Sequence, residues 1–195
     1  MKANASVSLV TCAPGPGNNG GAVFYGVLGF SGVAFAVTKA GYYQVTAGLA
    51  GTVSYSVSSQ LSGPTNGSSP PVAEAYLAAG LRIRDSNASR VLGGGSWNDH
   101  AKSCGNRHGW YCILALGYFE NRTGNVSSAN VPVALGLKWW SGSLERLVAG
   151  ETYLVGSSVE FRISVTGGDA AAGSVLSASL AFNLHYTNIT VRGPV

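Results

Sequence analysis

The sequence predicts an all-β chain folded as a two-sheet antiparallel sandwich of jelly-roll or Greek-key type. Three observations predict it. Apolar residues recur with period two over many short segments, turn-forming clusters of Gly, Pro, Ser and Asn separate those segments, and no stretch offers a long amphipathic helix. At 195 residues the chain is best read as one domain able to bury a substantial core.

Residues 3–11 alternate, with Ala5, Val7, Leu9 and Thr11 on one face and Asn4, Ser6, Ser8 and Val10 on the other. A Pro/Gly-rich stretch at 14–21 then separates this strand from the body of the chain. The expected organisation is an arm at 1–13, a linker at 14–21 and a single β-sandwich at 22–195. Ala22–Val37 and Tyr111–Phe119 are apolar on both faces, which predicts central strands covered on two sides. The first of these is also too short, and too interrupted by Gly26, Gly29 and Gly32, to cross a bilayer comfortably, so no membrane insertion is expected.

Half-buried strands are expected wherever alternation is clean: Tyr43, Val45, Ala47, Leu49; Val53, Tyr55, Val57; Val131, Val133, Leu135, Leu137; Val159, Phe161, Ile163, Val165; and Leu180, Phe182, Leu184, Tyr186. Near Asn188 the alternation changes phase to Ile189 and Val191, which predicts a bulge. Val72–Ala79, held between Pro70-Pro71 and Gly80, reads as two turns of helix. Ser58–Pro71 and Gly93–Trp110 read as long exposed loops.

Hydrophobic residues make up 46% of the chain and charged residues only 10%, against about 25% charged in an ordinary soluble domain. The surface must therefore be built from Ser, Thr, Asn and Gly, or be covered by sugar or by neighbouring copies. The formal charge is +4, but the basic residues (Lys39, Arg82, Arg84, Arg122, Lys138, Arg162 and Arg192 among them) are dispersed. Nucleic acid needs a stripe or patch, so it is not an expected partner. Two glutamines and one methionine agree with the depletion of labile residues in heat-adapted proteins.

Six of the twelve asparagines (Asn4, Asn66, Asn87, Asn121, Asn125 and Asn188) begin an Asn-x-Ser/Thr triplet with no proline at its centre. Ser and Thr are about a sixth of the residues, so chance would supply roughly two such triplets. The excess points to N-glycosylation and an extracellular or cell-surface location. Cys104 and Cys112 flank a short segment and are expected to form a disulfide, leaving Cys12 free or bonded to another subunit. His100, Cys104, His108 and Cys112 recur every four residues and offer an alternative zinc set, but the glycines between them suit a loop better than a helix.

Catalytic patterns are weak. Asp99-His100 lies near Ser96 and Ser103, and Glu151 with Glu160 or Asp85 with Glu120 could supply two carboxylates for glycoside hydrolysis. Trp97 and Trp139-Trp140 could stack on a sugar. None of these forms a recognisable motif, so the expectation is a non-enzyme without metal or cofactor. The tethered N-terminal strand points elsewhere: it either folds back as the first strand of its own sheet or inserts into a neighbouring copy and completes that copy's sheet, with Ala5, Val7, Leu9, Val10 and Thr11 at the subunit interface. Such a head-to-tail contact propagates.

Val37-Thr38-Lys39-Ala40-Gly41-Tyr42-Tyr43-Gln44-Val45 resembles the aromatic-bearing strand of C1q/TNF-like jelly rolls. The order of Leu147–Glu151, Val159–Val165 and Ser177–Tyr186 resembles that family's closing strands. This likeness implies a jelly roll and, as an alternative function, a trimeric or virion-surface head that binds a partner through residues 93–110. The arm, the acceptor triplets and the low charge together resemble the design of archaeal extracellular bundling-pilus and thread subunits. That second likeness implies a glycosylated filament subunit assembled by donor-strand complementation with copies of itself, with glycan or cell-surface contacts through the 93–110 loop.

Overall fold

The computed structural model describes residues 1–12, 19–29, 33–65, 68–85, 91–92, 111–140 and 146–194. Among these residues run ten strands: β1 (Lys2–Val10), β2 (Asn19–Gly29), β3 (Val33–Ala36), β4 (Gln44–Gln60), β5 (Val72–Asp85), β6 (Val91–Leu92), β7 (Tyr111–Glu120), β8 (Gly124–Trp140), β9 (Thr152–Gly168) and β10 (Val175–Arg192). One sheet, A, runs β1-β10-β4-β8. The other, B, has β9 and β5 at its centre, β2 and β3 end to end along the free side of β9, and β7 and β6 along the free side of β5. Every pairing between these strands is antiparallel.

The pairings are nested: β1 with β10, β2 with β9, β4 with β8, and β5 with β7. A long two-stranded ribbon, rolled so that its members alternate between two sheets, produces this order, which is that of a jelly roll. The all-β sandwich expected from the alternation is thus the fold observed.

The period-two pattern explains the layers. Val45, Leu49, Val53 and Val57 of β4, with Leu176, Leu180, Phe182 and Leu184 of β10, turn inward from sheet A. Val155, Val159, Phe161, Ile163 and Val165 of β9, with Ala73, Ala75, Leu77 and Leu81 of β5, meet them from sheet B. Phe161 packs edge-on against Phe182 with ring centroids 5.3 Å apart, tying the two sheets together at mid-core. Gly51 in central β4 has φ +149°, and a Cβ there would lie 2.0 Å from the Asn183 carbonyl oxygen. The phase change near Asn188 is a bulge: the register slips between Tyr186 and Asn188, opposite Gly48. A Cβ on Gly48 would meet the Thr187 hydroxyl at 2.4 Å, so the small residue makes room for that bulge.

Two expectations are corrected, and for the arm this single chain shows the home-strand alternative. Val72–Ala79 is part of strand β5, not a helix, because it lies between two hydrogen-bonded neighbours, β9 and β7, and tertiary pairing overrides local propensity. Among the described residues Ala22–Val37 and Tyr111–Phe119 supply edge strands, each hydrogen-bonded along one side, whereas the central strands are β4, β5, β9 and β10. Finally, the N-terminal segment is seated at home. All nine residues of β1 pair with β10, from Lys2 opposite Asn183 to Val10 opposite Val175, and Ala5 is buried in the chain's own core. The slot that Ala5, Val7, Leu9, Val10 and Thr11 were expected to fill in a neighbour is filled here within one chain.

Thr11 anchors that arrangement. Its N–H donates to the Ser174 carbonyl at 2.9 Å and its carbonyl accepts from Gly173 N–H at 2.8 Å. The hydroxyl donates to the Ala171 carbonyl at 2.5 Å and accepts from Ser174 N–H at 2.9 Å. Met1 adds a second clamp at the other end: its nitrogen donates to the Leu184 carbonyl at 2.5 Å and its carbonyl accepts from Leu184 N–H at 2.8 Å.

Replacing Thr11→Val keeps the shape but strips both side-chain hydrogen bonds from a buried site, which should cost about 2 kcal/mol. Hydrogen exchange of the β1 amides should accelerate ahead of those in β4. Gly51→Ala should cost about 3 kcal/mol in a denaturant titration, since both the backbone angle and the Asn183 carbonyl oppose a methyl group there.

Candidate functional site

The sandwich has two open sides, and they are built differently. On one side lie the edges of β1 and of β2/β3, with β1 contacting β2 across the end of the two sheets. No charged residue occurs between Lys2 and Lys39, so this side is neutral along nearly its whole length. Val23, Phe24, Tyr25 and Val33 are 58%, 46%, 54% and 53% exposed there. Phe24 stacks on Phe161 with centroids 5.7 Å apart, so the apolar surface continues inward to the core.

The opposite side carries the features by which β-proteins discourage edge pairing. Pro132 sits within β8, opposite Thr52, and cannot donate to another strand. Next to it Asn130 has φ +53° and the β4–β8 register slips between Val53 and Tyr55. The β5–β7 ladder is broken between Ala75 and Tyr76, and β7 ends at the exposed Glu120.

The outer face of sheet B gathers three of the chain's eight acids with three tyrosines. Register places Val23, Ser164, Glu74 and Tyr118 in one row and Tyr25, Arg162 and Tyr76 in the next. Tyr25 donates its hydroxyl to Glu160 at 2.8 Å, and Glu160 is only 4% exposed although it points away from the inter-sheet core. Ser164 donates to Glu74 at 2.7 Å. Arg162 Nε lies 3.2 Å from the same Glu74 oxygen, a half-exposed ion pair whose N–H is not aligned as a hydrogen bond, and so of small energetic value. Tyr118 donates to Glu120 at 2.5 Å. That bond, followed by desolvation and the charges of Glu120 and Glu74, pushes the Tyr118 phenol up to about 12.

The outer face of sheet A is instead a field of short polar side chains. Ser8, Ser177, Ser58 and Asn125 form one cross-strand row, and Ser6, Ser179, Ser56 and Ser127 the next. A shallow groove of about 410 Å3 runs beside them, bordered by Asn4, Ser54, Ser56, Ser127, Ser128 and Ser179.

Four of the six glycosylation acceptors fall on described residues, and Asn4, Asn121, Asn125 and Asn188 are all exposed. Asn4 and Asn125 stand on the serine face. The side-chain oxygen of Asn121 accepts from the Thr65 hydroxyl, and that of Asn188 accepts from Gly48 N–H at 3.1 Å. Asn66, Asn87 and Cys104 lie outside the described residues, as do His100, His108, Asp99, Ser96, Ser103 and Trp97; Cys112 stands opposite Ala79 in β7. Cys12 is exposed and carries a free thiol.

The two proposed carboxylate pairs are not brought together. Glu151 immediately precedes β9 and Glu160 lies nine residues along the extended chain, about 30 Å at 3.4 Å per residue. Asp85 closes β5 while Glu120 sits opposite Val72 at its start, thirteen residues away, or about 44 Å. Two-carboxylate hydrolysis needs about 5–9.5 Å. Among the described residues no group of three His, Cys, Asp or Glu is placed to hold a metal ion, and no helix is long and apolar enough to cross a membrane.

No family model and no curated protein matches the chain. Among solved structures, it aligns with that of an infectious bursal disease virus Gt strain at 11% identity and a TM-score of 0.19. It aligns with the infectious bursal disease virus VP2 subviral particle at 12% identity and a TM-score of 0.12. These alignments cover 94% and 93% of this chain but 40% of each viral chain, so the chain spans less than half their length. Likenesses this slight add nothing to the fold derived above.

Tyr118 provides a direct check on the sheet B network. Its neutral form is favoured in the folded chain, so its stabilising contribution is whole below pH 10, the unfolded value, and is lost as pH rises towards about 12. Phenolate absorbance should show one tyrosine titrating late, and Glu120→Gln should return that step towards 10.

Proposed function

We propose that this chain is a structural subunit of an extracellular, N-glycosylated assembly built from copies of itself, with the neutral β1/β2/β3 side as the contact. The observation that carries this reading is the contrast between the two sides of the sandwich. An edge bearing Val23, Phe24, Tyr25 and Val33 with no charge or proline along it invites pairing, whereas β8 is interrupted by Pro132 and a bulge. A face left in water would be expected to carry gatekeeping charges, and one buried against a copy has no need of them. The low charge of the chain and the exposed acceptors Asn121, Asn125 and Asn188, which lie off that side, support the same reading.

A second reading rests on β1 itself. Among the described residues it pairs with β10 alone, along nine pairs, and it is followed by the Pro/Gly-rich sequence that begins at Pro14, so an identical arm from a copy could make the same ladder in exchange. Donor-strand filaments are built on such an exchange.

Sedimentation and electron microscopy of the glycosylated chain separate the readings. Under the edge reading, Val33→Glu weakens association at least 10-fold while the thermal melt is unchanged, and deleting residues 1–11 lowers the melt by removing a home strand. Under the arm-exchange reading, Val33→Glu assembles normally and the deletion yields well-folded subunits that accept an added arm peptide. A chain that stays monomeric at every concentration contradicts both.

A further inference from the structure

Resting on the edge reading above, we infer that two copies join through their β2 strands, antiparallel about a two-fold axis at Phe24, so that their B sheets become one continuous sheet. The partner is therefore a second copy of this chain, and the register is specified.

Four features lead there. The β2 edge is neutral, so it meets a copy of itself without electrostatic cost, while pairing with β8 would place it against Pro132 and the Asn130 bulge. Phe24 is the midpoint of the eleven-residue strand Asn19–Gly29, so only a two-fold axis there pairs the strand over its full length.

That register also matches side chains. Val23 of one copy falls opposite Tyr25 of the other on the outer face, twice over, and such aromatic–β-branched pairs are favourable. Phe24 falls opposite its own copy, with Ala22 opposite Gly26 beside it, so the two large rings are flanked by small residues.

The available area suffices as well. Eleven residues at about 3.4 Å give an edge about 37 Å long. Across two sheets about 10 Å apart, with their side chains, that side offers roughly 700 Å2, close to the ~800 Å2 per partner of a stable interface. Tyr25 already donates to Glu160, so its ring is held in place for the contact.

The test uses two variants, each read by native mass spectrometry. Val23→Glu and Tyr25→Lys should each weaken self-association at least 10-fold, and the lysine keeps a partner in Glu160. Mixed one to one, they should form mixed dimers, because Glu at 23 then faces Lys at 25 of the other copy. Hydrogen exchange on the unaltered chain provides a measurement free of substitution: β2 amides should slow as concentration rises, while β8 amides do not.

Self-association with unchanged β2 amides overturns this inference and leaves the broader assembly reading standing. Protected β2 amides with no mixed dimers overturn the Phe24 register. A chain that never associates overturns the assembly reading itself.

Discussion

The pairing of the first two strands with the last two is the constraint on which the sandwich depends. Because β1 lies on β10 and β2 on β9, the two C-terminal strands become central in their sheets, each bonded on both sides. Phe161 of β9 and Phe182 of β10 then meet between the sheets, and the core closes around them. The β1–β10 and β2–β9 pairings join residues 129 to 181 positions apart, so their loop-closure cost must be met by burial. Thr11, Met1 and the Ala171–Ser174 turn hold the arm by hydrogen bonds where β1 has little apolar surface to offer.

The same constraint makes the two sides of the molecule unequal. The chain's uncharged N-terminal stretch supplies both edges of one side, and the interrupted strands β7 and β8 supply the other. Edge strands in isolated β-proteins are commonly blunted by charge, proline or bulges. Here, among the described residues, the proline within a strand falls on the β7/β8 side, while the β2/β3 side shifts register against β9 by one residue between Gly29 and Val33. The distribution suits a subunit that is covered along β2 and left bare along β8; among the described acceptor triplets, those at Asn121, Asn125 and Asn188 lie off β1, β2 and β3, while Asn4 stands on β1.

Much of the fold was legible because burial follows residue type with period two. Val159, Phe161, Ile163 and Val165 turn inward as their alternation requires, and the phase change after Tyr186 marks a true bulge. What alternation could not convey was position within a sheet. Ala22–Val37 is apolar on both faces, which is the pattern of a doubly covered central strand, yet it supplies edge strands in this single chain. The absence of charge from residues 3 to 38 sets this stretch apart from the rest of the chain. The Tyr25–Glu160 and Ser164–Glu74 contacts were invisible for a different reason, since they depend on cross-strand register between segments 90 or more residues apart. Val72–Ala79 was misread because its helix-compatible alanines are outvoted by hydrogen bonds from two neighbouring strands.

Electron cryomicroscopy of assembled, glycosylated material tests the central claim most directly, because it reveals which strand edges face a neighbouring copy. A contact through the neutral side predicts density joining β2 to the next subunit, with β8 and Pro132 left in solvent. Subunits that meet along β7 and β8, with Val23, Phe24 and Tyr25 open to water, would contradict it.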